Sequence, residues 1–162
     1  MAKFYVKSTN PSPGNFEWTV EGALDENAAS PRLSLASAQQ LQIDFQMLSF
    51  INSKGVQKWI EIMGSIPDSV QVFFKNCPVR LVHQLNLFPS ITAQKSVRVL
   101  SFYAPYFDPF SELSREVLLR VADLEKQGAG YKVPTIPSAS GKGPLEFDAF
   151  ADKYFVFLGK LG

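Results

Sequence analysis

Residues 48–63 read LSFINSKGVQKWIEIM and join a buried strand to a capped helix across a short polar turn. The strand begins near Leu41 as an alternation of apolar and polar residues and becomes almost continuously apolar towards Ile51, which is typical of a strand entering a covered sheet. After the turn, polar residues occupy one side of a helix. The apolar residues recur at helical spacing at Val56, Trp59, Ile60 and Met63. The stretch therefore predicts a strand followed directly by an amphipathic helix.

The turn itself, residues 52–55, supplies the cap of this helix. Either Asn52 or Ser53 can accept a hydrogen bond from the free backbone N–H groups of the first helical turn, which typically stabilises a helix by about 1 kcal/mol. Capping alone would explain an isolated Asn-Ser pair before a helix. The elements on both sides of the turn point to an additional role.

The amphipathic helix is followed by a second strand at residues 70–74, by Asn-Cys-Pro at 76–78, and by a helix over 79–87. This order resembles the STAS domain, the family of bacterial anti-sigma factor antagonists. In that family the turn reads Asp-Ser-x-Gly, and its serine is phosphorylated by a partner kinase. In this chain Ser53 and the glycine two residues later match that motif, and asparagine stands in place of the aspartate.

The resemblance implies that Ser53 is a phosphorylation site and that its surroundings bind a regulatory protein, such as an anti-sigma factor or a serine kinase. A phosphate there would add nearly two negative charges at a helix N-terminus, where the dipole and the free N–H groups favour an anion. It would repel an acidic partner without unfolding the domain. The predicted partner-binding residues are Asn52, Ser53, Lys54, Gly55, Gln57, Lys58 and Glu61.

The rest of the chain predicts an α/β fold, a STAS-like mixed sheet flanked by helices. Strands near residues 4–8 and 16–21 form an antiparallel hairpin that ends at Gly22. Residues 23–40 form a short helix or an irregular crossing. The strand, helix, strand order that follows favours a parallel pair, and residues 97–103 are predicted as the last strand of the sheet.

Residues 104–162 are predicted as a small β-rich appendage to a STAS-like domain that covers residues 1–103. Their outline resembles a zinc ribbon, in which paired Cys-x-x-Cys knuckles hold a metal. The knuckle positions are occupied by Asp108, Ser111, Pro137 and Ser140. Tetrahedral zinc needs about four thiolate or imidazole ligands, so no metal and no other cofactor is predicted. The appendage is either a ribbon without its metal or an aromatic extension packed on the domain.

The composition narrows the functional classes. The 162 residues include 16 basic and 15 acidic side chains, and the basic residues are scattered, so the chain has no electrostatic footprint for nucleic acid. No run of residues approaches a membrane span, and residues 1–7 lack the apolar core of a signal peptide. The single cysteine is consistent with a reducing compartment. We therefore expect a soluble, cytoplasmic protein.

The sequence carries no motif for catalysis. Cys77 precedes a helix N-terminus that could lower its pKa, but His83 lies on a different part of that helix, so a small buried cysteine is favoured over a Cys/His pair. There is no phosphate-binding glycine loop and no nucleophile elbow. We therefore predict a non-enzymatic signalling module. One alternative is a constitutive scaffold or self-associating module. Another is a module that handles a lipid, an anion or a nucleotide, as the resemblance to STAS-like transport proteins implies; an anion or a nucleotide phosphate could bind at the helix N-terminus.

Overall fold

A computed structural model describes residues 2–161 as a five-stranded mixed sheet with helices, followed by small antiparallel sheets towards the C-terminus. The predicted mixed α/β class is confirmed. The elements are β1 (Tyr5–Ser12), β2 (Asn15–Leu24), β3 (Gln40–Ile51), α1 (Ser53–Ser65), β4 (Gln71–Lys75), α2 (Val79–Leu87), β5 (Val97–Val99), β6 (Ser101–Asp108), β7 (Leu113–Arg120), β8 (Lys126–Gln127), β9 (Gly130–Tyr131), β10 (Glu146–Phe147), α3 (Ala151–Tyr154) and α4 (Val156–Leu161). None of the helices between residues 2 and 161 is long and apolar enough to cross a membrane.

The strand order of the large sheet follows the chain, β1-β2-β3-β4-β5. β1 and β2 form the predicted antiparallel hairpin, and the other neighbouring strands pair in parallel. Along β3 the side chains of Leu41, Ile43 and Phe45 are buried, whereas Gln42 and Asp44 are partly exposed. The sheet is therefore covered on one face, because the alternation in the first half of β3 reflects one packed side and one wet side.

Aromatic packing holds α1 against the centre of the sheet. The buried ring of Trp59 lies edge-on to Phe45 and to Phe74, with ring centroids 5.2 Å and 6.3 Å apart. Edge-to-face aromatic pairs of this kind contribute about 0.5–1.5 kcal/mol beyond the area they bury. The predicted apolar stripe of the helix thus faces β3 and β4, and the polar side of α1 faces solvent.

β2 is longer than the sequence predicts, because it continues beyond Gly22, where the hairpin was expected to end. Gly22 has a φ of 87° and lies at a register shift in the pairing of β2 with β3, and the strand continues to Leu24. A Cβ at Gly22 would overlap the carbonyl oxygen of Lys3. Glycine therefore marks a β-bulge and a close backbone approach in the strand interior here, where the sequence suggested a strand end.

The predicted last strand, residues 97–103, divides at Leu100 between two sheets. β5 closes the five-stranded sheet, and β6 forms the centre of a three-stranded sheet with order β10-β6-β7. The alternation of burial also breaks at this point, because Ser101 and Phe102 are both buried, whereas a single strand alternates with a period of two. β6 also spans the boundary predicted between residues 103 and 104, and the division of the chain into two domains stays a prediction.

The C-terminal residues form short helices that dock on α2. The Asn86 side chain donates to the carbonyl of Tyr154 at 3.0 Å and accepts from the backbone N–H of Phe157 at 2.8 Å. The Tyr154 hydroxyl donates to the carbonyl of Tyr103 at 2.6 Å. Phe102 packs against this segment, with its ring centroid 5.1 Å from that of Phe157. The aromatic residues at the end of the chain thus belong to one continuous apolar core with the large sheet.

Candidate functional site

The polar turn after β3 lies at the edge of the sheet where the parallel strands β2 and β3 both end. Leu24 is paired with Ile51, so the residues that follow each strand lie side by side. This brings Glu26 close to Asn52, although 26 positions separate them in the sequence. The carboxyl ends of parallel strands are the usual place for binding sites in α/β proteins, because loops and helix N-termini converge there.

Asn52 is the cap of α1. Its backbone is extended, with a φ of −122°, and its side-chain oxygen accepts a hydrogen bond from the backbone N–H of Gly55 at 2.8 Å. Its carbonyl accepts the first helical bond, from Val56. Ser53 is the first residue of the helix and its side chain is exposed. Of the two predicted caps the structure uses Asn52, so capping does not account for Ser53.

The amide of Asn52 makes a second bond, which an aspartate at this position could not make. Its Nδ2 donates to Oε2 of Glu26 at 3.0 Å. This bond, followed by one from the backbone N–H of Glu26 and by the charge of Lys54, holds the pKa of Glu26 below its ordinary value. The carboxylate at the start of α1 thus belongs to Glu26, in the turn that follows β2, and the asparagine in the Asp-Ser-x-Gly pattern is its hydrogen-bond donor.

Gly55 anchors the first turn of α1 to the end of β2. It is buried, and a Cβ at this position would overlap the carbonyl oxygen of Leu24. The backbone N–H of Asn52 donates to that same oxygen at 3.3 Å. The match to the glycine of the motif therefore has a packing reason, since only glycine lets the helix approach the sheet this closely.

The remaining predicted residues form a solvent-facing surface on α1, named here the α1 outer face: Ser53, Lys54, Gln57, Lys58 and Glu61. All are exposed except Lys58, which is partly buried. Spacings of three and four residues place them along adjacent rows of one helix face. Of the seven predicted residues the structure thus brings five together on this face. Asn52 and Gly55 lie beneath it and hold the helix N-terminus against the sheet.

Two residues of the site were missed by sequence reasoning, Leu24 and Glu26. Both lie at the start of the segment 23–40, which reads only as an irregular crossing. Their signal is indirect: once β2 and β3 are taken as parallel neighbours, the residues after the two strands must meet at one edge. The two acidic residues that follow β2, Asp25 and Glu26, were therefore the clue to a partner for Asn52.

The two groups considered for chemistry are placed apart from this surface. The Cys77 thiol is fully buried, and burial, together with the charge of Asp44, raises its pKa, so the thiol stays protonated and unreactive. His83 is exposed on α2, with its ring edge-on to Tyr154 at 6.0 Å. The interpretation of Cys77 as a small buried side chain is confirmed.

The positions where a zinc ribbon would carry knuckles hold hydrogen-bonded turns. Burial opposes ionisation of Asp108, but bonds from the backbone N–H groups of Phe110 and Ser111 outweigh it and lower the pKa of that carboxyl. In the second turn the hydroxyls of Ser138 and Ser140 bond to each other. Among residues 2–161 no group of three or more His, Cys, Asp or Glu side chains is placed to hold a metal ion.

A cavity of about 900 Å³ lies between the β8–β9 hairpin and the C-terminal helices. Its apolar lining includes Tyr131, Phe155 and Leu158. The volume is within the range of about 300–1,000 Å³ in which small ligands bind. It is separate from the α1 outer face, because the two share no lining residue.

The chain matches no protein-family model, no curated protein and no solved structure. The resemblance to the STAS domain therefore depends on the element order and on the turn at residues 52–55, and it stays a prediction.

Proposed function

We propose that this chain is a non-enzymatic, cytoplasmic regulatory module that binds a partner protein through the α1 outer face and is switched by phosphorylation of Ser53. One observation carries the proposal: Asn52 takes the cap, and the Ser53 hydroxyl is left exposed on the first residue of α1. A kinase can therefore reach the hydroxyl, and its modification does not remove the cap. The packed side of the helix is fixed by Gly55 against β2.

The charges around Ser53 indicate how a phosphate would act. The helix N-terminus and Lys54 favour the added negative charge, whereas Glu26, bonded to the adjacent Asn52, opposes it. Because these effects oppose each other and Ser53 is exposed, the change in the free energy of unfolding is expected to be small. The change in surface charge, nearly two units, is large for any partner.

The partner that fits this surface presents acidic groups to Lys54 and Lys58. Those two lysines lie four residues apart on one row of α1, so an acidic segment can bind both. A phosphate beside them would compete for the lysines and repel the acidic groups. An anti-sigma factor or a serine kinase is the partner class that the STAS resemblance implies, and phosphorylation then releases it.

The first experiment is peptide mass spectrometry on the protein purified from its own cells, directed at the peptide that contains Ser53. We expect a substoichiometric phosphate on this residue. Captured partners are then compared between the wild type, Ser53→Ala and Ser53→Asp. The matched control is Ser34→Asp, which adds the same charge at an exposed serine in the irregular crossing.

The switch predicts that Ser53→Asp loses the partner while Ser53→Ala and Ser34→Asp keep it. All variants should unfold at urea concentrations close to that of the wild type. A Ser53 peptide that is well covered and always unmodified would leave a constitutive scaffold as the function. Equal loss of the partner in Ser34→Asp would show an unspecific effect of charge and contradict the role of Ser53.

A second candidate function, the handling of a small apolar ligand, is favoured by the cavity between the β8–β9 hairpin and the C-terminal helices. Native mass spectrometry of the same purified protein distinguishes it. A ligand carrier retains a bound molecule whose mass adds to that of the chain. Leu158→Trp, which narrows the cavity, should then reduce the bound fraction of the molecule, while Ser53→Asp should leave it unchanged.

A further inference from the structure

The outer edge of β7 is an uncovered strand of eight residues. β7 pairs along its whole length with β6, without a register shift, and its other edge has no strand partner among residues 2–161. Leu118 in this strand is 44% exposed. An edge of this length, with an exposed apolar side chain, offers its free N–H and C=O groups to another strand.

The other long edge of the molecule is interrupted at one end, unlike that of β7. β1 contains Pro11 and has a register irregularity between Thr9 and Ser12. Proline and bulges are common devices that prevent pairing at a sheet edge. β7 contains neither proline nor glycine.

The charges of β7 are arranged for pairing with a second copy of itself. In a symmetric antiparallel pair the two-fold axis is perpendicular to the sheet and keeps each side chain on its own face. Opposed residues must lie on the same face, so one residue opposes its own copy and the axis lies midway between the two. We call the residue that opposes its own copy the centre of the pairing. In a strand of eight residues, 113–120, four choices of centre leave at least five residues paired. A centre at Arg115 opposes two arginines, and a centre at Glu116 opposes two glutamates. A centre at Val117 sets Arg115 and Glu116 opposite leucines and Arg120 opposite Ser114.

A centre at Leu118 is the only one of the four that matches the charges. Glu116 of each copy then opposes Arg120 of the other, twice by symmetry, and Leu118 opposes Leu118. Opposite-charge and apolar cross-strand pairs stabilise a sheet, whereas like charges directly opposite destabilise it. Arg120 is available for this contact because its ion pair with Asp123 is weak: Nε of Arg120 lies 3.8 Å from Oδ2 of Asp123, and both side chains are exposed.

We propose that β7 is a homodimerisation edge, on which two copies of this chain pair antiparallel through residues 116–120 about a two-fold axis at Leu118. The three-stranded sheets of the two copies then join into one continuous sheet. The inference does not depend on Ser53 or on a regulatory partner.

Charge reversal tests the register. In sedimentation velocity from micromolar to millimolar concentration the wild type is expected to form a dimer. Glu116→Arg and Arg120→Glu should each weaken association about tenfold or more, because two like-charged cross-strand pairs replace two opposite-charge pairs. The double variant restores both pairs, with their directions exchanged, and should dimerise like the wild type. A wild type that is monomeric throughout, or a double variant that stays monomeric, would overturn the proposal.

A disulfide tests the position of the axis. Opposed residues in an antiparallel pair have Cα atoms about 4.5–5.5 Å apart, which suits a disulfide. Leu118→Cys should therefore form a covalent dimer under mild oxidation. Leu113→Cys is the matched control, a similarly exposed leucine of the same strand that lies outside the pairing. The native Cys77 is buried and does not interfere. Crosslinking of Leu113→Cys as rapid as that of Leu118→Cys would refute the register.

Discussion

The side chain of Asn52 holds two parts of the site at once, because its oxygen caps α1 and its amide nitrogen binds Glu26. An amide carries its acceptor and its donor on two separate atoms of one short side chain, so both bonds can form at once. Aspartate would cap the helix but repel Glu26. Serine would cap it but has no NH₂ group to donate to the carboxylate. Asparagine at this position therefore couples the start of the helix to the neighbouring strand end.

Removal of the cap is expected to separate the roles of Asn52 and Ser53. Asn52→Ala should lower the free energy of unfolding by about 1–2 kcal/mol, because it removes the acceptor of the Gly55 N–H. Ser53→Ala should change it by less than about 0.5 kcal/mol, since the serine is exposed and is not the cap. Urea denaturation of both variants measures the difference. A larger effect at Ser53 than at Asn52 would mean that the serine is the cap.

The pKa of Glu26 is expected to report the bond from Asn52. It lies below its ordinary value in the folded chain, so ionised Glu26 stabilises the fold above its unfolded pKa, and this contribution is lost as the pH falls through the folded pKa. Asn52→Asp removes the donor and adds a like charge, so the pKa of Glu26 should rise. Carboxyl NMR titration measures it, with Ser53→Ala as the control. An unchanged pKa would contradict the bond.

At the scale of elements, the periodic patterns of the sequence predicted those strands and helices whose type is decided by which side of the element is buried. The alternation in β3 and the apolar stripe of α1 predicted the type and order of both elements, because β3 buries one side against α1 and α1 buries one side against the sheet. The division at Leu100 could not be foreseen, since both halves, Val97–Val99 and Ser101–Asp108, read as strand and only their placement in separate sheets distinguishes them. The helical end of the chain was also missed, because Tyr154, Phe155 and Phe157 favour strands and tertiary packing overrides that preference.

The two glycines of α1 allow a test of how closely the helix meets the sheet. Gly55→Ala should destabilise the chain by about 2–3 kcal/mol, because its Cβ would overlap the carbonyl oxygen of Leu24 and the helix must move. Gly64→Ala, in the last turn, meets open space and should stabilise the chain by up to about 1 kcal/mol. Urea denaturation compares the two. Effects of the same sign would show that helix propensity, rather than contact with β2, governs position 55.

At the scale of the whole molecule, the C-terminal segment completes the core that the large sheet begins. Phe102 lies between the two parts, with its ring against Phe157 on one side and its strand paired to β7 on the other. The Asn86 side chain binds the segment twice. The boundary at residues 103/104 was placed where the sequence character changes. The contacts across it depend on residues about 50 to 70 positions apart, which no local pattern encodes.

This continuity predicts that the chain unfolds as one cooperative unit. Both tryptophans, Trp18 and Trp59, lie in the large-sheet half, so their fluorescence reports that half alone. Phe157→Ala removes a fully buried ring at the other end of the chain and should cost about 3–5 kcal/mol. In a single cooperative unit the tryptophan transition then moves to lower urea, and the free energy of unfolding that it reports falls by that full amount. Val156→Ala, at a partly exposed neighbour, is the control and should shift it little. If the tryptophan transition stayed in place while circular dichroism revealed an earlier, separate transition, the chain would consist of two independently folding domains, with residues 104–162 as an appendage.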